Sequence, residues 1–282
     1  MAEKVRLPAV AGTFYPGENA ELSRTLKHCF THELGPGKLP PSTNFPAPIA
    51  LISPHAGYAY SGPVAAHGFY SVSSLTHIDL AIILGPNHWG LGSGVASVDS
   101  GSWRTSLGDV AIDSESVREL VGSTNLVHVD DRAHSREHSI EVQIPFLQHI
   151  FSNHFKILPI SMYLQDKKTA EELASGLLPI LMSKKAILIA SSDLTHYETH
   201  DDATRKDQKL IGTIEALDLD KFYDTLESDN VTACGYGPIG VAISVLNQIG
   251  VVKGRLLKYA TSGDTTKDFS SVVGYASIVF EK

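Results

Sequence analysis

The chain has 282 residues, with 23 Lys and Arg against 31 Asp and Glu, a formal net charge of −8 with its 13 histidines neutral. That acidic balance is a poor footing for nonspecific contact with phosphate backbones, so no nucleic-acid partner is expected. With 43% hydrophobic residues, 19% charged residues and two cysteines, the composition excludes a disordered chain and a disulfide scaffold, and the lack of any apolar run of about 18 residues excludes membrane insertion.

The opening Met1-Ala2-Glu3-Lys4-Val5-Arg6 has no apolar core after its charges, so no secretory leader is expected and a reducing cytoplasm is the expected location. Amphipathic spacing predicts a helix over 18–32, followed by a proline- and glycine-rich loop over 34–48. No linker, repeat or low-complexity tract follows, so 1–282 is expected to be one domain. Apolar, β-branched runs of strand length lie at 49–53, 78–84, 156–161 and 186–191, with more alternating runs at 255–260 and 272–280. The first four are mostly apolar, as in strands covered on both faces. Between them the pattern predicts helices over 62–73 after Ser61 (with Pro63 in the first turn), over 140–152 after Ser139, and over 167–183 with Asp166 as N-cap. Further helices fit 203–217, 219–227 and 238–248. Strands alternating with helices predict an α/β fold with a mostly parallel central sheet flanked by helices, the C-terminal pair adding an antiparallel edge.

The polar chemistry falls at strand ends. Ile49-Ala50-Leu51-Ile52 runs into Ser53-Pro54-His55, Ala81-Ile82-Ile83-Leu84 into Gly85-Pro86-Asn87-His88, and Ile187-Leu188-Ile189-Ala190 into Ser191-Ser192-Asp193-Leu194-Thr195-His196. Ligand sites of open parallel sheets form at the carboxyl edge, so these three histidines are expected to share one mouth. Asp193 is placed to orient the His196 imidazole or to face the same ligand with it.

Two other patterns resemble motifs without their context. His134-Ser135-Arg136-Glu137-His138 spells the inverted zinc-peptidase signature, which needs both histidines one turn apart on a helix, yet the apolar helical pattern begins only near Ile140. It is read as a lookalike, with His138 and Glu141 kept as candidate site residues. Gly235-Tyr236-Gly237-Pro238-Ile239-Gly240 spells a dinucleotide fingerprint, but it follows no adequate strand and no acid ends the next one, so a loop feeding a helix is expected. Cys234, in that glycine-rich turn, sits where N–H groups would favour a thiolate. Cys29, in the middle of an amphipathic helix, reads as a small core hydrophobe. Imidazoles with a thiolate or carboxylate suit iron, zinc or copper over magnesium or calcium.

Six blocks, Ala11-Gly12-Thr13-Phe14-Tyr15, Ser53-Pro54-His55-Ala56-Gly57-Tyr58, Gly85-Pro86-Asn87-His88, Glu137-His138-Ser139-Ile140-Glu141, Ser191-Ser192-Asp193 with His196, and Cys234-Gly235 with Pro238-Ile239-Gly240, resemble the MEMO (mediator of cell motility) family in order and over nearly the whole chain. The resemblance implies a single α/β domain similar to class III extradiol dioxygenases. It implies a metal on His55, His88 and Cys234, iron or copper ahead of zinc, with Asp193, His196 and His138 as the polar catalytic residues around it. Phe14, where relatives often carry tryptophan, and Tyr58 are expected as substrate-binding aromatics. The expected activity is a redox-active non-haem metal oxidoreductase acting on a small molecule or oxygen, His196 or His138 serving as acid/base and Asp193 orienting His196. A cysteine in place of the carboxylate used by extradiol enzymes argues against ordinary ring cleavage, because thiolate changes the metal's charge distribution and is itself oxidisable. The alternative is a non-catalytic signalling protein binding a peptide or small ligand in the same pocket. Nothing in the sequence speaks to oligomeric state.

Overall fold

Strands too apolar to meet water on either side must be covered twice, and this requirement organises the molecule. The computed structural model describes residues 4–42 and 46–281; residues 1–3, 282 and 43–45, the last within the expected 34–48 loop, lie outside the described residues. The first elements are β1 (Val5–Arg6), α1 (Asn19–Thr31), β2 (Pro48–Ser53), α2 (Tyr58–Val72) and β3 (Leu80–Pro86). A stretch of short elements follows: β4 (Val95–Ser97), β5 (Ser102–Thr105), β6 (Gly108–Ile112), α3 (Ser114–Ser123) and β7 (His128–Val129). Next come 3₁₀ turns at Asp131–His134 and Glu141–Gln143, α4 (Ile144–Phe151), β8 (Lys156–Met162), α5 (Lys167–Ser183) and β9 (Ala186–Ser191). The chain ends with β10 (His196–Glu198), α6 (His200–Glu215), α7 (Leu219–Ser228), α8 (Tyr236–Gln248), β11 (Gly254–Thr261), α9 (Ser262–Thr266) and β12 (Val272–Glu281).

The sheet order is β1-β5-β6-β8-β3-β9-β2-β12-β10, with β11 also paired to β12 and β4 to β8. From β6 through β8, β3 and β9 to β2 every pairing is parallel. The C-terminal strand β12 then closes β2 antiparallel and pairs with β11 on its other side. The fold is therefore the expected α/β architecture with a mostly parallel central sheet. Helices α1, α2 and α4 pack together over β2 and β12, while α3, α5 and α8 cover β8, β9 and β3. Ser53 pairs with Ser191 and Leu84 with Ala190, so β2, β9 and β3 end level with one another.

Three helix starts differ from expectation for local reasons. Helix α2 begins at Tyr58 rather than after Ser61, and Pro63 lies inside it. Ser61 is no cap: its hydroxyl donates to the Ala56 carbonyl at 3.0 Å. Instead of a single helix over 140–152, a 3₁₀ turn precedes α4, which places Pro145 in its first turn, where a missing N–H costs nothing. Helix α6 starts at His200, with Thr199 accepting from the Asp202 N–H. Asp166 caps α5 as expected, accepting from the Thr169 N–H at 3.0 Å.

The 3₁₀ turn aims Glu141 at the N-terminal segment. This fully buried carboxylate accepts from Arg6 Nη1 at 2.7 Å, from the Ala9 and Val10 N–H groups at 2.8 and 3.1 Å, and from the Tyr15 hydroxyl at 2.8 Å. Glu141 is thus a staple for residues 6–15 and not a member of the site, which corrects the expectation from sequence. Glu141→Leu strands a guanidinium and two N–H groups and should lower stability by about 3–5 kcal/mol in urea unfolding. Adding Arg6→Met should cost less than the sum of the two single changes; strict additivity would show that the pair is not coupled.

Candidate metal centre

Level strand ends bring three loops to one mouth. His55 leaves β2 two residues after Ser53, His88 leaves β3 two after Pro86, and Asp193 leaves β9 two after Ser191. Cys234 arrives from the turn before α8, tied to the β9 exit by its own N–H donating to Asp193 O at 3.2 Å. Gly235 makes that approach possible: a Cβ there would stand 2.2 Å from Ser191 O. The resulting group is His55, His88 and Cys234, whose ligand atoms lie within 4.8 Å of one another. His55 Nε2 is 3.1 Å from Cys234 Sγ.

Hydrogen-bond direction fixes which ring nitrogens are available. The Ser191 hydroxyl donates to Ser139 O at 2.7 Å and accepts from Gln143 Nε2 at 2.8 Å. Gln143 is held in that orientation because the same amide nitrogen donates to the Pro54 carbonyl at 3.0 Å. With its one proton spent, Ser191 Oγ can only accept from His55 Nδ1, 2.8 Å away. His55 therefore carries its proton on Nδ1 and presents a bare Nε2 to Cys234. The same logic holds for His88, whose Nδ1 donates to Glu137 Oε1 at 3.0 Å, and for His196, whose Nδ1 donates to the Thr232 carbonyl at 2.9 Å. Three imidazoles thus offer Nε2 through three unrelated supports.

Glu137 is the buttress on the β3 side. Besides the His88 ring it accepts the N–H groups of His88, His138 and Ser139 at 2.6, 2.8 and 2.9 Å. Burial works to raise its pKa, but the His88 hydrogen bond, the neighbouring imidazoles and the Ser139 N–H prevail and hold it at about 2. His138 stacks on His88 with centroids 4.8 Å apart and receives the edge of Phe14 at 4.6 Å. Burial pulls His138 down to about 4, Glu137 opposing and His88 assisting, so this imidazole is neutral at pH 7. His55 is driven well below the ordinary histidine range by burial and by the three surrounding imidazoles.

Three placements depart from the sequence reading. Asp193 does not orient His196; Thr232 does, accepting the ring proton and, through Oγ1, bonding the His196 N–H at 2.7 Å. Asp193 instead braces His55, Oδ1 accepting its N–H at 2.8 Å and Oδ2 lying 4.0 Å from Nε2. Burial raises the Asp193 carboxyl to about 6 against the pull of the His55 N–H and the imidazoles. The Cys234 thiol receives one N–H, from Asp193 at 3.3 Å, yet burial and the Asp193 carboxylate push its pKa well above that of a free cysteine. The protein thus favours the thiol here and not the thiolate expected from the glycine-rich turn. Tyr58 is buried against Phe146 and its hydroxyl donates to Val142 O at 2.7 Å, while Phe14 flanks His138 beside the mouth. His134 lies apart, buried against Trp103, and with His138 outside any helix the peptidase lookalike is confirmed as such. Sequence reasoning missed Ser191, Gln143 and Thr232 as supports, and Glu137 as the buttress although it stands next to His138.

Comparison with known proteins agrees with this architecture. A profile of the Memo-like protein family matches residues 6–279. The chain belongs to the Memo family. A MEMO1 family protein of Methanopyrus kandleri is 46% identical over 280 residues, covering 98% of this chain and 99% of that one. Those of Sulfolobus acidocaldarius and Nitrosopumilus maritimus are 46% and 45% identical, each with 98% of this chain and 99% of its own length covered. Among solved structures, an uncharacterized protein of Escherichia coli K12 shares the fold with a TM-score of 0.54 at 14% identity, over 82% of this chain and 98% of that one. In this Memo chain no helix among the described residues is long and apolar enough to cross a membrane.

Nitrogen NMR of metal-free protein near pH 8, above the usual histidine range of about 6.5, tests the ring assignments. His55, His88 and His196 should each show a protonated Nδ1 and a bare Nε2, and Ser191→Ala should disturb His55 alone. A proton on Nε2 of His55 in the parent would overturn the Ser191 argument.

Proposed function

We propose that this Memo chain is a redox-active non-haem metal protein that acts as an oxidoreductase on a small molecule or oxygen, with iron or copper on His55, His88 and Cys234. The observation that carries the reading is the donor set: two imidazoles locked with Nε2 bare, facing a thiol within 4.8 Å. Such a set fits a borderline to soft first-row ion and is ill-suited to magnesium or calcium, which take oxygen ligands. A bound ion of this kind would supply electron transfer and Lewis acidity. The chain's own residues do the rest. Ser191 and Glu137 keep two rings in register, and Asp193 holds the His55 backbone. His138, neutral and buried beside Phe14, takes up or returns a proton at a ring nitrogen. His196, its Nδ1 spent on Thr232, offers Nε2 as a second proton acceptor at the rim.

Metal analysis of untagged protein is the deciding experiment. The parent should hold close to one equivalent of iron or copper, while His55→Ala and Cys234→Ser should each lower affinity by about 10–100-fold or more, at least the effect of removing a supporting residue. Zinc in place of iron or copper would replace redox chemistry with hydrolysis. Full metal retention by both variants would remove the centre from these residues. Oxygen uptake with a panel of phenolic compounds, abolished in both variants, is the expected activity readout. A metal-free protein that still binds peptides through this cleft would leave the non-catalytic reading.

A further inference from the structure

A second concavity, about 310 Å³, lies between β1, β5 and the 3₁₀ turn at Asp131–His134, away from the metal centre. Its size is at the lower end for small-molecule sites. Exposed Leu7, Lys4 and Asp131 stand at its mouth, and Trp103 and His134, each 1% exposed, are its deepest lining residues. These two carry the unusual feature. Trp103 Nε1–H and His134 Nδ1 are both buried and have no hydrogen-bond partner in the protein. Their rings are neighbours, with centroids 5.5 Å apart. Buried polar atoms are nearly always satisfied, so an orphan nitrogen on each of two neighbouring lining residues asks for a partner.

The chemistry of the pair selects the guest. Indole nitrogen only donates. His134 Nε2 points its proton at the Ala96 carbonyl, 3.2 Å away, which leaves Nδ1 with a lone pair; burial lowers its pKa to about 4, so the ring is neutral at pH 7. One donor and one acceptor on neighbouring rings suit a hydroxyl, which can accept from the first and donate to the second. A carboxylate cannot donate to Nδ1, and an ammonium cannot accept from the indole. Nor does the cavity offer a spare cation to an anion. Arg6 lies over the Trp103 ring and gives its N–H groups to His134 O, Glu137 O and Glu141, while Lys4 is paired with Asp131 at 2.6 Å. Val5, Leu7 and Val98 give the rest of the wall its apolar area, interrupted by Ser100, Ser102 and Ser135.

We propose that this cavity is a binding site for a small, uncharged, mostly apolar molecule bearing a hydroxyl group, read by Trp103 Nε1 and His134 Nδ1. It is independent of the metal reading. Phenol, toluene and benzoate are probes of equal ring size that differ only in the group presented. In ¹⁵N-labelled Trp89→Phe protein, Trp103 gives the remaining indole N–H signal, since the chain has two tryptophans. Phenol at millimolar concentration should shift that signal saturably, with toluene and benzoate at least about tenfold weaker, the equivalent of about 1.4 kcal/mol. His134→Phe should weaken phenol by a similar factor while the rest of the spectrum is kept. Should that variant fail to fold, Ser135→Phe, at an exposed lining position, should block phenol without touching the buried pair. An indole signal that ignores phenol and only exchanges with water would make this a hydration site and overturn the proposal, as would equal responses to phenol and toluene.

Discussion

Parallel pairing of β2, β9 and β3 is the constraint on which the centre depends. Strands that run the same way and end level deliver their exits to one edge, and only such strands can bring residues 55, 88 and 193 together while each remains next to an apolar strand. The helices on both faces are the consequence of the same apolar strands, since nothing else would keep water from them. Cys234 is not a strand-end residue and needs a separate device: a glycine that lets the α8 entry ride against the β9 backbone.

Around that edge, single hydrogen bonds have outsized consequences because the groups that hold the rings are already committed elsewhere. Ser191 has one proton and Ser139 O takes it. Gln143 has its amide turned by Pro54 O. Glu137 is occupied by three backbone N–H groups in addition to the His88 ring. A set of supports committed in this way favours one pattern of protons on the rings, which is the condition for a preorganised donor set.

The long apolar strands and α5 were legible from the sequence almost to the residue, because burial on both faces leaves a run of Ile, Leu and Ala with no polar interruption. The three histidines were legible because they follow those runs. What lay between 95 and 129 was not: strands of three to five residues such as Val95–Ser97 and Gly108–Ile112 are too short to show a period, and Gly and Ser dilute them. Helix α2 begins before the sequence suggests because Ser61 looks like a cap, while its hydroxyl donates to Ala56 O. The supports of the site were hidden for a different reason. Thr232 and Gln143 act through atoms that meet His196 and Ser191 only after the chain has folded, from sequence distances of 36 and 48 residues. Asp193 stands nearer to His196 in sequence, but in space it holds the more distant His55.

The contact between Cys234 and His55 joins positions 179 residues apart. During synthesis His55 and His88 emerge long before the thiol, and two imidazoles on an uncovered sheet edge have neither their third partner nor their dry surroundings. A ribosome must therefore release most of the chain, and α8 must dock, before the ligand set exists. Assembly of this donor set is in that sense a report that folding has finished, and a truncated or stalled chain would hold the histidines without their thiol.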